Sequence, residues 1–141
     1  MTNTLIQALV KRTCYTISPD KYLIDVIKKL SDNKIGALPV VNSNGFLEGI
    51  ISERDIIKEI HLHRKMETRK VEEAMTKKII TCSLQARANE IMELMTANKI
   101  RHIPIVNDKE LLGMVSIGDV VSRLLTKYKS EADLLKNYIN S

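Results

Sequence analysis

Aromatic residues are scarce in this sequence: its 141 residues include four tyrosines, one phenylalanine and no tryptophan. Hydrophobic residues nevertheless make up 44% of the chain, so any core must be built from aliphatic side chains. Proteins that bind single-stranded nucleic acid without sequence preference stack the bases on aromatic rings. The composition therefore argues against such a platform, and we do not expect a nucleic-acid partner.

Cysteine is also sparse, and long apolar runs are lacking. Cys14 and Cys82 are far apart and have no metal-site spacing, which favours a reducing compartment over a disulfide framework. No segment approaches the roughly 18 apolar residues that a membrane-spanning helix needs. Residues 1–12 lack the basic and apolar regions of a secretion signal. We therefore expect a cytoplasmic protein without a membrane partner.

The net charge of +5 is modest for a chain in which 28% of residues are charged. Its densest basic stretch lies between the two halves of the sequence, where such a stretch is typical of a solvated linker rather than of an anion-binding patch. That stretch contains Arg64, Lys65, Arg69 and Lys70.

An internal repeat organises the sequence. A shift of 65 positions places Pro39 on Pro104, and after a turn the shift becomes 64, so that Asp55 falls on Asp119. A one-residue deletion is best tolerated inside a turn. The chain is therefore expected to contain two copies of one structural unit.

Each copy has the pattern βαββα. A short extended segment precedes an amphipathic helix, two apolar strands follow, and a second apolar helix closes the unit. The turn Asn42-Ser43-Asn44-Gly45 is typical of a hairpin. Because the strands are apolar throughout, we expect both of their faces to be buried. The predicted extended segments are 14–17 and 79–82, and the predicted strands are 37–41, 47–51, 103–106 and 111–115.

A unit of about 60 residues is marginally stable alone, so the two copies are expected to share one core. Segments at both ends of the chain look like short helices that pack on the pair or on a partner chain. The expected division is an N-terminal helix at 1–9, a first repeat at 10–63, a linker at 64–72, a second repeat at 73–128 and a C-terminal helix at 129–141.

The same seven-residue pattern follows the last strand of each unit, at 49–55 and at 113–119: Gly, two apolar residues, Ser, two variable residues and Asp. Ser-x-x-Asp before an apolar run is close to a helix capping box, and capping alone would explain both residues. Ser130-x-x-Asp133 matches this short part without the preceding Gly and strand.

Capping is compatible with ligand binding. A helix N-terminus favours an anion, an ionised Asp can accept hydrogen bonds from two ribose hydroxyls, and Gly lets a ligand approach the backbone. Two complete copies of the pattern, in register with the repeat, favour a ligand site.

The pattern, together with residues 98–106 and their counterpart around Pro39, resembles the cystathionine-β-synthase (CBS) domain family over roughly residues 10–128. The resemblance implies an α/β (α+β) fold: a tandem pair of βαββα modules packed sheet to sheet with pseudo-two-fold symmetry and outer helices. It also implies a regulatory pair, or Bateman module, whose clefts bind an adenosyl ligand. AMP, ADP or ATP is expected ahead of S-adenosylmethionine or NAD(H). A homodimer is expected, with a regulated protein as a further partner.

The resemblance also assigns roles within the two clefts. The two Asp residues of the pattern would hold ribose hydroxyls, the two Ser residues would contact ribose or phosphate, basic residues would reach phosphate, and apolar residues would enclose the base. In that order the residues are Asp55 and Asp119; Ser52 and Ser116; Arg54, Arg101 and His102; and Ile17, Ile80, Pro39 and Pro104.

The two copies differ at the basic positions. At the positions where the second unit has Arg101 and His102, the first unit has Gly36 and Ala37. A phosphate-bearing ligand is therefore expected to prefer the cleft that contains the two basic residues. In the alternative interpretation, His102 is a half-buried strand residue satisfied by the backbone, and Arg54 is a solvated residue that pairs with Glu53 or Asp55.

Three classes of function are open to such a chain: a ligand sensor, a purely structural interaction dimer whose Ser-Asp pairs only cap helices, and an enzyme. The sequence lacks a traceable nucleophile–base arrangement and a Gly-rich phosphate loop, so we do not expect an enzyme. His61 and His63 lie two apart on a predicted helix and point in different directions, so we expect no metal site there.

Overall fold

The computed structural model describes residues 5–140 and contains both copies of the expected unit. The mixed α/β class and the tandem organisation are confirmed. Part of the predicted N-terminal helix, residues 1–4, and residue 141 of the predicted C-terminal helix lie outside the described residues. The elements are α1 (Leu5–Leu9), α2 (Leu23–Asn33), β1 (Ala37–Val41), β2 (Leu47–Ser52), α3 (Glu53–His61), α4 (Val71–Ala74), α5 (Ala88–Asn98), β3 (His102–Asn107), β4 (Glu110–Ser116) and α6 (Ile117–Asn140).

Each repeat is built on a two-stranded antiparallel hairpin, β1 with β2 and β3 with β4. The first turn forms as its sequence predicts: Asn42 Oδ1 accepts hydrogen bonds from the amides of Asn44 and Phe46, at 2.9 and 3.2 Å. Gly45 has a φ of +80°, which a residue with a side chain rarely adopts. Both hairpins change register at equivalent places, after Val40 and after Ile105.

The predicted leading strands are reduced to single parallel bridges, Ile17 with Val40 and Cys82 with Ile105. The amide of Ile17 donates to the carbonyl of Pro39 at 3.1 Å, and the amide of Val41 donates to that of Ile17 at 3.0 Å. The next donor on this edge of β1 would be the amide of residue 39, but proline has none. Pro104 occupies the equivalent position at the second bridge. The hydrogen bonding between each leading segment and its neighbouring strand therefore stops at the single bridge and does not continue toward the N-terminal end of that segment.

The expectation that both strands are buried on both faces is correct for β1 and wrong for β2. All of β1 except Val41 is buried. In β2, Gly49 and Ile51 are buried, whereas Ile50 and Ser52 are half-buried. Side chains alternate between the faces of a strand, so one face of β2 is left partly open.

The buried residues form two clusters, one per repeat, so the expectation of a single shared core is wrong. Each cluster is completed by the segment that precedes the other repeat. Ile6 of α1 is fully buried in the cluster of the second repeat, and Val71 of α4 is fully buried in that of the first. The repeats are thus interleaved through α1 and α4.

The predicted linker is not simply a solvated stretch. Arg69 binds Glu59 of α3 at 3.3 Å and Glu73 of α4 at 3.1 Å, and the Glu59 side chain is only 8% exposed. Arg64 lies 3.9 Å from the same Glu59 carboxylate. Arg64 and Arg69 therefore hold the predicted linker against α3 of the first repeat.

The predicted C-terminal helix does not exist as a separate element, because α6 runs without a break through residue 129. Residues 119–141 contain neither Gly nor Pro, so no residue of the kind that usually ends a helix interrupts it. Among residues 5–140, no helix is both long and apolar enough to cross a membrane.

Candidate functional site

Two cavities, of about 380 and 430 Å³, are each lined by residues of both repeats. Each combines the start of the closing helix of one repeat with the start of the first hairpin strand of the other. The first cavity is lined by Ile50, Ser52, Glu53, Arg54, Asp55, Lys78, Ile79, Ile80, Ile100, Arg101, His102 and Pro104, among others. The second is lined by Arg12, Cys14, Tyr15, Lys34, Pro39, His102, Met114, Ser116 and Asp119, among others.

Ser52 and Asp55 form a complete capping box at the start of α3. The amide of Asp55 donates to Ser52 Oγ at 3.3 Å, and the amide of Ser52 donates to Asp55 Oδ2 at 2.9 Å. The Ser52 hydroxyl also donates to Oδ2, at 3.1 Å. The other oxygen, Oδ1, accepts one hydrogen bond, from the Thr76 hydroxyl at 3.2 Å. The capping interpretation is thus confirmed, and Oδ1 keeps acceptor capacity.

Ser116 and Asp119 repeat this box at the start of α6. The amide and hydroxyl of Ser116 donate to Asp119 Oδ2 at 2.8 and 2.9 Å. In addition, the Arg12 guanidinium donates to Oδ1 at 2.9 Å and to Oδ2 at 2.7 Å. Burial raises the pKa of Asp119, but the hydrogen bonds from Arg12 and Ser116 outweigh it and lower that pKa.

The basic residues predicted from the sequence gather in the first cavity. Arg101 and His102 of the second repeat line it beside Asp55 and Arg54 of the first. The alternative interpretation expected Arg54 to pair with Glu53 or Asp55. Instead, Arg54 Nη1 donates to the carbonyl of Lys99 at 3.2 Å. Three cations therefore line the first cavity (Arg54, Lys78 and Arg101), against two carboxylates (Glu53 and Asp55).

His102 lies between the cavities and lines both. It is half-buried at the first position of β3, as expected for a residue that begins a strand. Burial lowers its pKa, while Glu53 and Asp119 act in the opposite direction. A Cβ atom added at Gly36 would lie 3.1 Å from His102 Cε1. The absence of a side chain at residue 36 thus makes room for the imidazole.

The structure does not bring one predicted base-enclosing residue into either cavity. Ile17 lines neither cavity; it is 6% exposed and packs in the core of the first repeat, where its bridge to Val40 holds it. The counterpart of Ile80 at the 65-residue shift is Tyr15, which lines the second cavity. The other predicted residues, including Pro39 and Pro104, all line a cavity.

Sequence reasoning missed several polar residues of these cavities, among them Arg12, Lys78 and Thr76. Arg12 and Thr76 take equivalent roles, because their side chains bind the equivalent carboxylates of Asp119 and Asp55. The repeat gave no signal for this equivalence, since at the 65-residue shift that holds before the hairpin turn Arg12 falls on Lys77.

Within residues 5–140, no cluster of three or more His, Cys, Asp or Glu side chains is arranged to hold a metal ion.

The sequence profile of the CBS domain matches this chain twice, at residues 6–62 and 71–126. The chain belongs to the CBS-domain family. Over 125 residues it is 39% identical to the CBS domain-containing protein CBSX3, mitochondrial, of Arabidopsis thaliana. That match covers 85% of this chain and 61% of the plant protein, so the chain spans about three fifths of its relative.

Solved CBS pairs have the same fold. The CBS pair of protein MJ0100, in complex with 5′-methylthioadenosine and S-adenosyl-L-methionine, is 26% identical with a TM-score of 0.79, and the match covers 91% of this chain and 99% of that one. CBSX2 in complex with AMP is 22% identical with a TM-score of 0.76, over 90% of this chain and 99% of that one, a likeness that concerns the fold. CBS pairs of this shape thus include proteins that bind adenosyl ligands.

Proposed function

We propose that this CBS pair is a regulatory sensor of an adenosyl ligand, with the first cavity as its primary site. The observation that carries the proposal is the carboxylate of Asp55, which lies at the start of α3 in a cavity that also has three cations and an apolar wall. A volume of about 380 Å³ lies within the range of small-molecule sites.

The chemistry of the lining suggests how the ligand is held. Asp55 Oδ1 accepts hydrogen bonds from the ribose hydroxyls, with Ser52 beside it at the helix N-terminus. Lys78 and Arg101, with Arg54, supply charge-assisted contacts to phosphate. The base packs on the apolar part of the wall, formed by Ile50, Ile79, Ile80, Ile100 and Pro104.

The excess of cations favours AMP, ADP or ATP over S-adenosylmethionine, whose sulfonium carries a positive charge. Like charges brought together disfavour the wrong ligand. Relatives solved with S-adenosyl-L-methionine and with AMP support the adenosyl class as a whole. The second cavity offers an equivalent pair, Ser116 and Asp119, and is the secondary candidate.

A thermal-shift screen of adenine nucleotides, adenosine, S-adenosylmethionine and NAD(H) tests this proposal. A ligand present at 100 times its dissociation constant adds about 2.7 kcal/mol to the free energy of unfolding. For a chain of this length the melting temperature should rise by about 5–10 °C. The proposal requires the largest shift from a nucleotide, and the absence of any shift at millimolar concentration would refute it.

The second candidate function is a structural interaction module in which the Ser-Asp pairs only cap helices. The complete capping boxes at Ser52 and Ser116 favour it, because capping alone explains both hydrogen-bond sets. In neither function does the pair catalyse a reaction. The same screen decides between them, since a purely structural module should give no nucleotide-dependent shift.

The pair is also proposed to act as a homodimer through α6. Its apolar residues recur every three or four positions along all 24 residues of the helix, and most of them are exposed. A continuous exposed apolar stripe is typical of an association surface. The stripe contains Ile117, Val121, Leu125, Tyr128, Leu135 and Ile139.

Light scattering tests the dimer directly. The expected mass is twice the 16.0 kDa of one chain, and Leu125→Glu should return a monomer because it places charge in the middle of the stripe. Wild-type protein that stays monomeric across micromolar concentrations would contradict the proposal. A regulated protein would bind the dimer as a further partner.

We further propose a reducing, cytoplasmic location. Cys14 and Cys82 are free thiols, in keeping with a reducing compartment. The Arabidopsis relative is named as mitochondrial, so cell fractionation is the appropriate test. Recovery of the chain with an organelle rather than with the cytosol would overturn the assignment.

A further inference from the structure

The two Asp residues of the repeated pattern differ in how many donors they already satisfy. Asp119 accepts four hydrogen bonds, two from Ser116 and two from Arg12. Asp55 accepts three, two from Ser52 and one from Thr76. A carboxylate has about four lone-pair sites. On both carboxylates the outer oxygen, Oδ1, accepts a single hydrogen bond, from Arg12 in Asp119 and from Thr76 in Asp55. The two sites therefore differ chiefly in the donor that a ribose hydroxyl would meet at Oδ1.

The donors outside the box also differ in strength. The Thr76 hydroxyl is an uncharged donor that makes one hydrogen bond to Asp55, and a ligand hydroxyl can share or replace it. Arg12 makes a two-pronged, charge-assisted contact at 2.9 and 2.7 Å, the stronger geometry for an arginine–carboxylate pair. The same guanidinium also donates to the carbonyl of Met114, at 2.9 Å.

The interleaving of the repeats positions Arg12 beside Asp119. Arg12 follows α1, whose Leu5, Ile6 and Leu9 are buried in the core of the second repeat. Although Arg12 and Asp119 are 107 positions apart in the sequence, the anchor of α1 fixes the backbone close to the second cavity. Because α1 is already ordered by its own burial, the contact requires little additional ordering of the chain.

We propose that Arg12 blocks the access of ribose to Asp119, so that the CBS pair binds one adenosyl ligand with high affinity, in the first cavity, and takes a second with comparable affinity only when Arg12 is withdrawn. This rests on the proposed function. A ribose that reaches Asp119 must displace the guanidinium. The Arg12 side chain is 48% exposed, so water weakens the pair, and the expected penalty is at the lower end for charged hydrogen bonds, about ten-fold in affinity.

Calorimetry with AMP tests the stoichiometry. Wild type should bind one AMP per chain with high affinity and a second at least about ten-fold more weakly, whereas Arg12→Ala should bind two with comparable affinity, with the affinity of the first site unchanged. Lys11→Ala is the matched control, because it removes a neighbouring exposed charge that lines neither cavity, and it should behave as wild type. Arg12→Ala whose second site stays as weak as that of wild type would overturn the proposal, as would a wild type that binds two AMP with comparable affinity.

The thiol of Cys14 shows which cavity is filled, since it lines the second cavity and not the first. Cys82 is 8% exposed, and burial raises its pKa to about 11, so it should contribute little to labelling by a thiol reagent. At a concentration that fills only the high-affinity site of wild type, AMP should slow the labelling of Cys14 several-fold in Arg12→Ala and leave it unchanged in wild type. Equal protection in both proteins would refute the proposal.

The same labelling separates this inference from the proposed function. If wild type binds no adenosyl ligand, the proposed function fails. Protection of Cys14 by AMP in Arg12→Ala would then still establish Arg12 as the group that blocks the access of ribose to Asp119. Without that protection, both are refuted.

Discussion

Replacing Asp55 by Asn is the sharpest test of the primary site, because it separates capping from ligand binding. Asn keeps one carbonyl oxygen that can accept the hydrogen bond now made by the Ser52 amide at 2.9 Å. The substitution should therefore lower the free energy of unfolding by less than about 1 kcal/mol. Its effect on folding is expected to be small.

The effect on the ligand should be much larger. Asn carries no charge, and its NH₂ group is a donor where the two ribose hydroxyls need an acceptor. The loss of a hydrogen bond to a charged group is worth about 1.5–3 kcal/mol, or about 10- to 100-fold in affinity. Calorimetry with AMP measures the affinity, and thermal unfolding measures the stability of the same samples.

Two matched variants complete this experiment. Asp133→Asn changes an exposed Asp of α6 that follows a Ser in the same short pattern but lines neither cavity, and it should alter neither quantity. Asp119→Asn should leave AMP affinity within about two-fold of wild type, because Arg12 already occupies that carboxylate. If Asp55→Asn also stays within two-fold while wild type binds AMP, the ribose assignment is wrong.

Three further outcomes follow from the same geometry. Arg101→Ala combined with His102→Ala should weaken AMP binding by about 10- to 100-fold in calorimetry while adenosine binding changes little; equal losses would mean that these residues only shape the cavity. Burial lowers the pKa of His102 below 6.5, and a bound phosphate favours the protonated imidazole, so AMP binding should take up a proton. AMP affinity should accordingly rise as pH falls from about 8 to about 7, a range in which the phosphate, with a second pKa of about 6, stays mostly a dianion, while adenosine affinity stays flat; a pH-independent AMP affinity would contradict this. Gly49→Ala should lower the free energy of unfolding by about 1–3 kcal/mol in denaturant titration, because the new Cβ would lie 2.6 Å from Met75 Sδ and 3.0 Å from the Thr76 carbonyl oxygen, which as backbone cannot easily move. Its counterpart Gly113→Ala, with the nearest atom at 3.4 Å, should change little, and equal losses would show that the close contact is not the cause.

The sequence correctly predicted the features that depend on interactions between residues close together in the chain. The hairpins follow from apolar runs around turn residues, and β1 begins and ends where its sequence predicts. The capping boxes follow from residues three positions apart, such as Ser52 and Asp55. Both kinds of signal depend on neighbours in the chain.

The wrong predictions concern contacts between distant segments. Neither composition nor periodicity shows that α1 packs on the second repeat, and this packing completes the core of that repeat and carries Arg12 to Asp119. The gathering of Arg101 beside Asp55 likewise depends on how the repeats face each other.

The error at the C-terminus has a different origin. Ser130-x-x-Asp133 resembles a helix start, yet nothing before it ends the preceding helix. Helix propagation is favourable once a helix has formed, so α6 continues through a stretch whose local pattern would also allow a new beginning.

The exchange of α1 and α4 between the cores has a consequence for the order in which the chain folds during synthesis. α1 is synthesised well before the strand and the helix on which it packs, β4 and α6. At about 5–20 residues per second, the roughly 110 residues between Leu9 and Val120 take about 6–20 s to emerge. During that interval the apolar face of α1 has no native partner, whereas the first repeat can already close around Val71 of α4. Deletion of α1 should therefore destabilise the half of the molecule that lies furthest from it in the sequence.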